Sequence, residues 1–331
     1  MGIMNLQSNP FYILHASPAD DRTALQRKAS EVILLEGSTE AEKALSGLLH
    51  PLKRLEAELN WFPETDQAEI DKIISFCENG GTLPDFSTES DLAVINGCRY
   101  MLKSWPCELA EGLAGLGLCL AGALVRLSFS RIIDELNSAR SLSGFPLLSE
   151  DGIVSDHILE LQEGVMGYFS SRVKDASDGQ ALSAAYALAT AFSSNKEIYK
   201  NNYHLKKMVD YCMLPTADEE KRAYTEAVRN ASGMFCSTYN LIPVINEWNH
   251  LSSPRRMISK AQGLADNDSE KLLQVLNDYI NDRLHKKQFT EATDILHLVI
   301  DTFTDLPPEK ISQHRTLLQD LSSLIIFFRK K

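Results

Sequence analysis

From Leu25 to Phe328 apolar side chains recur every three or four positions, and the alternation of a half-buried strand is nearly absent. A chain patterned in this way must bury one stripe of each helix against other helices. The sequence therefore predicts an all-α protein, a short helical module followed by an irregular bundle or solenoid. Leu25, Ala29, Val32 and Ile33 share one face, and Leu45, Leu48, Leu49, Leu52, Leu55 and Leu59 share another. Between them lies Glu36-Gly37-Ser38-Thr39, where the glycine suits a helix stop. Thr39 with Glu42 has the capping-box pattern that satisfies free N–H groups at a helix start. The two stripes read as a helical hairpin with a tight connection.

Downstream, the periodicity predicts helices over 67–77, 88–103, 106–126, 129–141, 156–174 and 180–193, then over 203–212, 217–237, 253–263, 268–286, 289–303 and 308–329. Glu78-Asn79-Gly80-Gly81-Thr82-Leu83-Pro84 is the clearest linker, and 142–155 and the tract Ser193-Ser194-Asn195-Lys196 read as loops. The last three helices form an expected antiparallel set, with a short Lys287-Gln288 turn and Pro308 at a helix start, where proline is tolerated. The domain order that follows is a module over 1–66, a connecting helix and Gly-Gly linker over 67–87, a helical domain over 88–250, and a C-terminal hairpin or bundle over 251–331.

A chain of 331 residues fits one to three domains and can bury a large core without disulfides. The net charge of −12 argues against nucleic acid, since phosphate binding needs clustered cations. The uncharged run Gly112–Val125 is 14 residues long, short of the roughly 20 that a spanning helix needs, and reads as a buried core helix rather than a membrane segment. Gly117 and Gly122 have P-loop spacing, but Ala123-Leu124 stands where the lysine and hydroxyl residue belong. The six cysteines (Cys77, Cys98, Cys107, Cys119, Cys212, Cys236) form no C-x-x-C pair and read as small buried hydrophobes. Met1–Asn9 has neither a basic flank nor an apolar core, so a cytoplasmic, reducing compartment is expected.

The eight histidines give no metal or catalytic spacing. His204, His285 and His314 have polar neighbours, and His297 in Ile295-Leu296-His297-Leu298-Val299 reads as a partly buried core residue. Asp20-Asp21 and Glu219-Glu220 stand near helix starts, where carboxylates complement the helix dipole. Ser253-Pro254-Arg255-Arg256 and Arg329-Lys330-Lys331 read as solvated basic helix ends. No catalytic residue, cofactor or metal is expected.

The N-terminus is more informative. Asn9-Pro10-Phe11-Tyr12-Ile13-Leu14 opens a short helix, Ala16-Ser17-Pro18-Ala19-Asp20-Asp21 leads into the hairpin, and His50-Pro51-Leu52-Lys53-Arg54-Leu55 comes late in its second arm. Over residues 9–62 this resembles the J-domain of DnaJ-type co-chaperones, which opens N-P-[FY]-x-[IV]-L and closes its third helix with D-P-x-x-R. The resemblance implies that Phe11, Ile13 and Leu14 cap the cleft between helices Leu25–Leu35 and Glu40–Leu59.

The departure from the pattern bears on activity. J-domains stimulate their ATPase partner through a His-Pro-Asp tripeptide in the loop joining the second and third helices, and here that loop is Glu36-Gly37-Ser38-Thr39. His50-Pro51 lies in the wrong place and is followed by Leu52. Arg22, Arg27 and Lys28 are offset by Glu31 and Glu36, and residues 1–66 hold ten acidic against six basic side chains. The expectation is a fold without the activity: a non-enzymatic, chaperone-like adaptor that binds another protein and leaves the chaperone ATPase unstimulated. The alternative is an enzyme or small-ligand binder whose pocket is assembled from distant residues. Neither the partner nor the oligomeric state is legible at this level.

Overall fold

The computed structural model describes residues 6–37, 39–63, 65, 67–79, 84, 90–104, 110–149, 152–195, 202–233, 237–264 and 266–329. Among these there are helices and no strand, as the periodicity predicts. Most of the Gly-Gly linker, Cys107 and Cys236 fall outside the described residues. The chain divides into two compact units, 1–176 and 177–331. This division falls inside the expected 88–250 domain, and the expected boundary at 250/251 lies within a helix.

The first unit holds α1 (Pro10–Ile13), α2 (Arg22–Glu36), α3 (Thr39–Leu49), α4 (Pro51–Leu59), α5 (Gln67–Asn79), α6 (Asp91–Ser104), α7 (Ala110–Arg126), α8 (Phe129–Ser143) and α9 (Gly152–Asp175). Asn9 caps α1, its Oδ1 accepting from Phe11 N at 3.0 Å, while its amide donates to the Ala57 and Asn60 carbonyls at 2.9 and 3.1 Å. One fully buried side chain thus fixes both the start of α1 and its seat on the end of α4. Phe11 and Leu14 are completely buried over the hairpin, whereas Ile13 is only half-buried. The contact expected of all three residues is made mainly by two.

Asp21 caps α2 by accepting from Ala24 N at 2.7 Å, and Gly37 ends it with φ 63°, a conformation that suits a residue without Cβ. The following helix already includes Thr39, so Thr39 is not the capping residue that the sequence pattern suggests. The second arm is two helices rather than one. His50 adopts φ −91° and ψ 123°, because the ring of Pro51 drives its predecessor out of the α region. Residues 1–66 do not stand apart: Asn96 of α6 donates to the Leu59 carbonyl at 3.0 Å and also to that of Trp61.

In α7 Leu116, Leu120, Ala121 and Ala123 are completely buried, as expected of a core helix. Among the described residues no single helix is long and apolar enough to cross a membrane; α7 and α8 pass that test only together, and they meet at 91°.

The second unit holds α10 (Asp178–Ser194), α11 (Tyr203–Met213), α12 (Ala217–Ser232), α13 (Thr238–Ala261), α14 (Asn267–His285), α15 (Phe289–Thr302) and α16 (Pro308–Arg329). It opens on a capping box in which Ser177 and Gln180 satisfy each other's backbone N–H groups. Its core gathers around Trp248 and Phe303, whose rings lie 5.9 Å apart, with Leu272, Leu276, Ile295 and Val299. Helices α14, α15 and α16 pack in sequence, and Lys287 turns the first connection with φ 58°.

Helix α13 corrects the expectation of a helix start at 253. It runs unbroken through Pro243 and Pro254. Pro254 has no N–H for the carbonyl of His250 four residues earlier, and the Tyr186 hydroxyl of α10 donates to that carbonyl at 2.6 Å instead. Burial holds the Tyr186 phenol above its usual pKa, so the donor keeps its proton.

Candidate functional site

The sequence nominates no site residue, but charged side chains that the fold takes out of water must be paired or put to use. The first cluster joins residues 1–66, the head, to the rest of the first unit. Glu58 Oε1 accepts from Arg54 Nε at 2.7 Å, and Oε2 accepts from Arg140 Nε and Nη2 at 2.9 and 2.7 Å. The three side chains are 1 to 5% exposed, so one carboxylate serves two guanidinium groups almost without water.

Arg54 also donates to the Pro18 carbonyl, and its guanidinium lies 3.6 Å from the centroid of the Phe145 ring. Burial lowers the Arg54 pKa, against the opposing pull of Glu58. Burial likewise brings Arg99 down to about 10. Above the cluster a small cleft of about 160 Å³ is lined by Pro18, Pro63, Glu58, Leu136 and Leu142.

The hairpin tip is the second feature. Val32 is buried and Ile33 half-buried, but Leu34 and Leu35 are each 85% exposed in the last turn of α2, beside Gly37. The buried stripe of α2 runs through Leu25, Ala29 and Val32, and both leucines lie off it.

The third feature is a cleft of about 310 Å³ in the second unit, formed by the C-terminal turns of α10, α13 and α15. Its floor is an ion pair. Arg256 donates through Nε and Nη2 to Asp305 Oδ1, through Nη2 to the Thr302 carbonyl, and through Nη1 to Asn249 Oδ1 at 2.7 Å. The guanidinium is held between Trp248 and Phe303, 4.7 and 5.7 Å from their centroids. Ser193, Ser253 and Thr304 supply hydroxyls to the walls, and Lys260 stands at the rim.

Several sequence expectations move. Arg256, read as part of a solvated helix end, is 3% exposed, inside α13 rather than at its start, and Arg255 beside it pairs with Glu220. Glu220 serves this pair as well as the α12 dipole, and burial raises its pKa above the usual carboxylate range. His297 is exposed, because the buried stripe of α15 runs through Ala292, Ile295, Leu296 and Val299. His314, expected in polar surroundings, is instead buried, with Nε2 on Asn277 Oδ1 and Nδ1 on the Lys310 carbonyl. Burial holds His204 and His314 below the usual imidazole pKa.

Cys77, Cys98 and Cys212 are buried as expected, and Cys119 is half-buried. Desolvation pushes the Cys77 and Cys212 thiols up to about 12. Among the described residues no three His, Cys, Asp or Glu side chains converge as a metal-holding group. No protein-family model matches this chain, and neither does a curated protein or a solved structure.

The sequence did not mark the third feature, because Arg256 and Asp305 are 49 positions apart and belong to no short motif. The only local signal was an arginine two residues after a mid-helix proline, a position that the fold encloses.

Proposed function

We propose that this protein is a non-catalytic adaptor whose J-like head docks onto another protein through the tip of the α2–α3 hairpin and does not stimulate a chaperone ATPase. The observation that carries the reading is the pair Leu34 and Leu35, 85% exposed in the last turn of a helix whose other apolar residues face inward. Exposed leucines that serve no intramolecular packing are a cost unless something covers them. On the J-like reading the tip corresponds to the loop that carries the His-Pro-Asp tripeptide in a J-domain, and here that loop contains a left-handed Gly37. The rigid seat of the head supports the same reading: Asn9, Arg54 and Glu58 fix α1 and α4, so the tip projects from a framed base.

The test places a photo-activatable cross-linking residue at position 35 of the full chain and, as a control, at the exposed Leu214. One protein captured reproducibly from position 35 and not from 214 is the expected result. An ATPase assay with DnaK-type chaperones runs beside it, with no stimulation expected. Stimulation abolished by Leu34→Glu/Leu35→Glu, or small-molecule turnover with no captured protein, refutes the proposal.

A further inference from the structure

Helix α11 buries Leu205, Met208, Val209 and Cys212, the stripe by which it packs on α10 and α13. Its other side carries a second series at helical spacing, Tyr203, Lys207 and Tyr211, each four residues from the next. Tyr203 is 65% exposed, and Lys207 and Tyr211 are partly so. Lys207 Nζ stands 5.7 Å from the centroid of each ring, an ammonium shared between two aromatic side chains. Hydrogen bonding to the Tyr211 hydroxyl holds Lys207 above its ordinary pKa, so the ammonium keeps its proton.

What Lys207 lacks is a carboxylate. Among the described residues it makes no ion pair, and the one acidic residue of α11, Asp210, has its charge answered by Lys206 and by Arg255 of α13. The N-terminus of α11, where Asn202 accepts from Leu205 N at 2.9 Å, adds the positive end of the helix dipole beside Tyr203. In a chain with a net charge of −12 this face is a positive spot. It is also built from the residue type that interfaces favour, since a tyrosine offers an apolar ring and a hydroxyl that stays wet.

We infer that this face of α11 docks an acidic peptide segment of a partner protein, one carboxylate reaching Lys207 between the two tyrosine rings and an apolar neighbour lying on Tyr203. Charge complementarity selects this occupant: an anionic side chain supplies the counter-charge that the fold withholds from Lys207. Single-stranded nucleic acid also uses rings and cations, but its backbone needs a track of them, and α11 offers two lysines, one already turned to Asp210.

The test is fluorescence anisotropy of the full chain with a labelled acidic peptide, Glu-Glu-Leu-Asp-Glu-Leu-Glu-Glu, and with the counterpart in which Gln and Asn replace the acids. Saturable binding of the acidic peptide is expected, at least about tenfold tighter than that of the neutral one. Lys207→Gln should weaken it about fivefold, the upper end for a largely solvated ion pair. Tyr203→Ala should weaken it by at least about fivefold, as an aromatic anchor does. Lys206→Gln removes the same charge one position along and should weaken it less than about twofold. Circular dichroism confirms folding of each variant, and because all three side chains reach the surface, a defect in one leaves the other two to decide.

Equal losses in Lys206→Gln and Lys207→Gln mean diffuse attraction to a positive helix and overturn the proposal. So does a neutral peptide that binds as tightly as the acidic one, or an acidic peptide that shows no saturable binding. Oligothymidylate is run as a competitor, and tighter binding of it would assign the face to nucleic acid and overturn the proposal as well. Failure here leaves the hairpin-tip reading standing, since the two tests substitute no residue in common.

Discussion

Replacing Glu58 by glutamine isolates the network that seats the head. The carboxylate accepts three charge-assisted hydrogen bonds, one from Arg54 and two from Arg140, at 2.7 to 2.9 Å. Glutamine keeps the volume but offers one carbonyl oxygen, and its NH₂ group faces guanidinium groups that can only donate. At least one arginine loses its acceptor, and two cations that are 1 and 5% exposed are left together without the carboxylate that bridged them.

Breaking a buried ion pair by removing one partner costs about 3–5 kcal/mol, and so little water reaches these groups that solvent screening does not reduce the figure much. For a unit of this size that lowers the unfolding midpoint by roughly 6–20 °C. Urea unfolding followed by far-UV circular dichroism measures the free-energy cost, and a thermal melt with the same signal measures the shift in midpoint. A double-mutant cycle with Arg140→Met should give a coupling above about 1 kcal/mol. The triple replacement Arg54→Met/Glu58→Leu/Arg140→Met should be near neutral, since apolar residues of similar volume can replace a buried ion network without loss. A cost below about 1 kcal/mol for Glu58→Gln would show that the network is solvated and sink the argument.

Three further outcomes are expected. Phe11→Ala should cost about 3–5 kcal/mol in the same urea assay, because it empties a completely buried ring site beside Trp61. Gly37→Ala has space for its methyl group but must hold φ near 63°, so a loss of about 1–2 kcal/mol is expected, and a neutral result would mean that the turn relaxes. Stability should also depend on pH through His204 and His314. Their folded pKa values lie below the ordinary 6.5, so the unfolded chain takes up protons first as pH falls through that value; the contribution is intact above about pH 7.5 and is lost below 6.5. Urea midpoints between pH 5 and 8 should fall on the acid side, and less steeply in His314→Gln.

What the sequence reveals here is what is local. The helical stripes and the Gly37 stop follow from spacing over a few residues, whereas the burial of Phe11 and Leu14 was expected only from the resemblance. The His50-Pro51 break was written in the chain too, since proline restricts its predecessor, but six leucines in register masked it. His297 shows how an apolar run misleads: its neighbours in sequence are buried, but the helix turns it outward. The two ion clusters were illegible for another reason. Glu58 meets Arg140 across 82 positions and Arg256 meets Asp305 across 49, and no short-range pattern encodes a pairing at such distances.

Helix α13 carries a consequence for partial unfolding. Its hydrogen-bond ladder has a rung missing at Pro254, and the donor that fills the gap belongs to Tyr186, 64 positions earlier. Apart from α10 that carbonyl would be left to water, and a helix with prolines at 243 and 254 has little capacity to persist alone. The longest described helix of this unit is therefore expected to lean on a tertiary contact. Because the Arg256 and Lys260 end of the cleft lies beyond Pro254, the cleft leans on that same contact and would come apart with it.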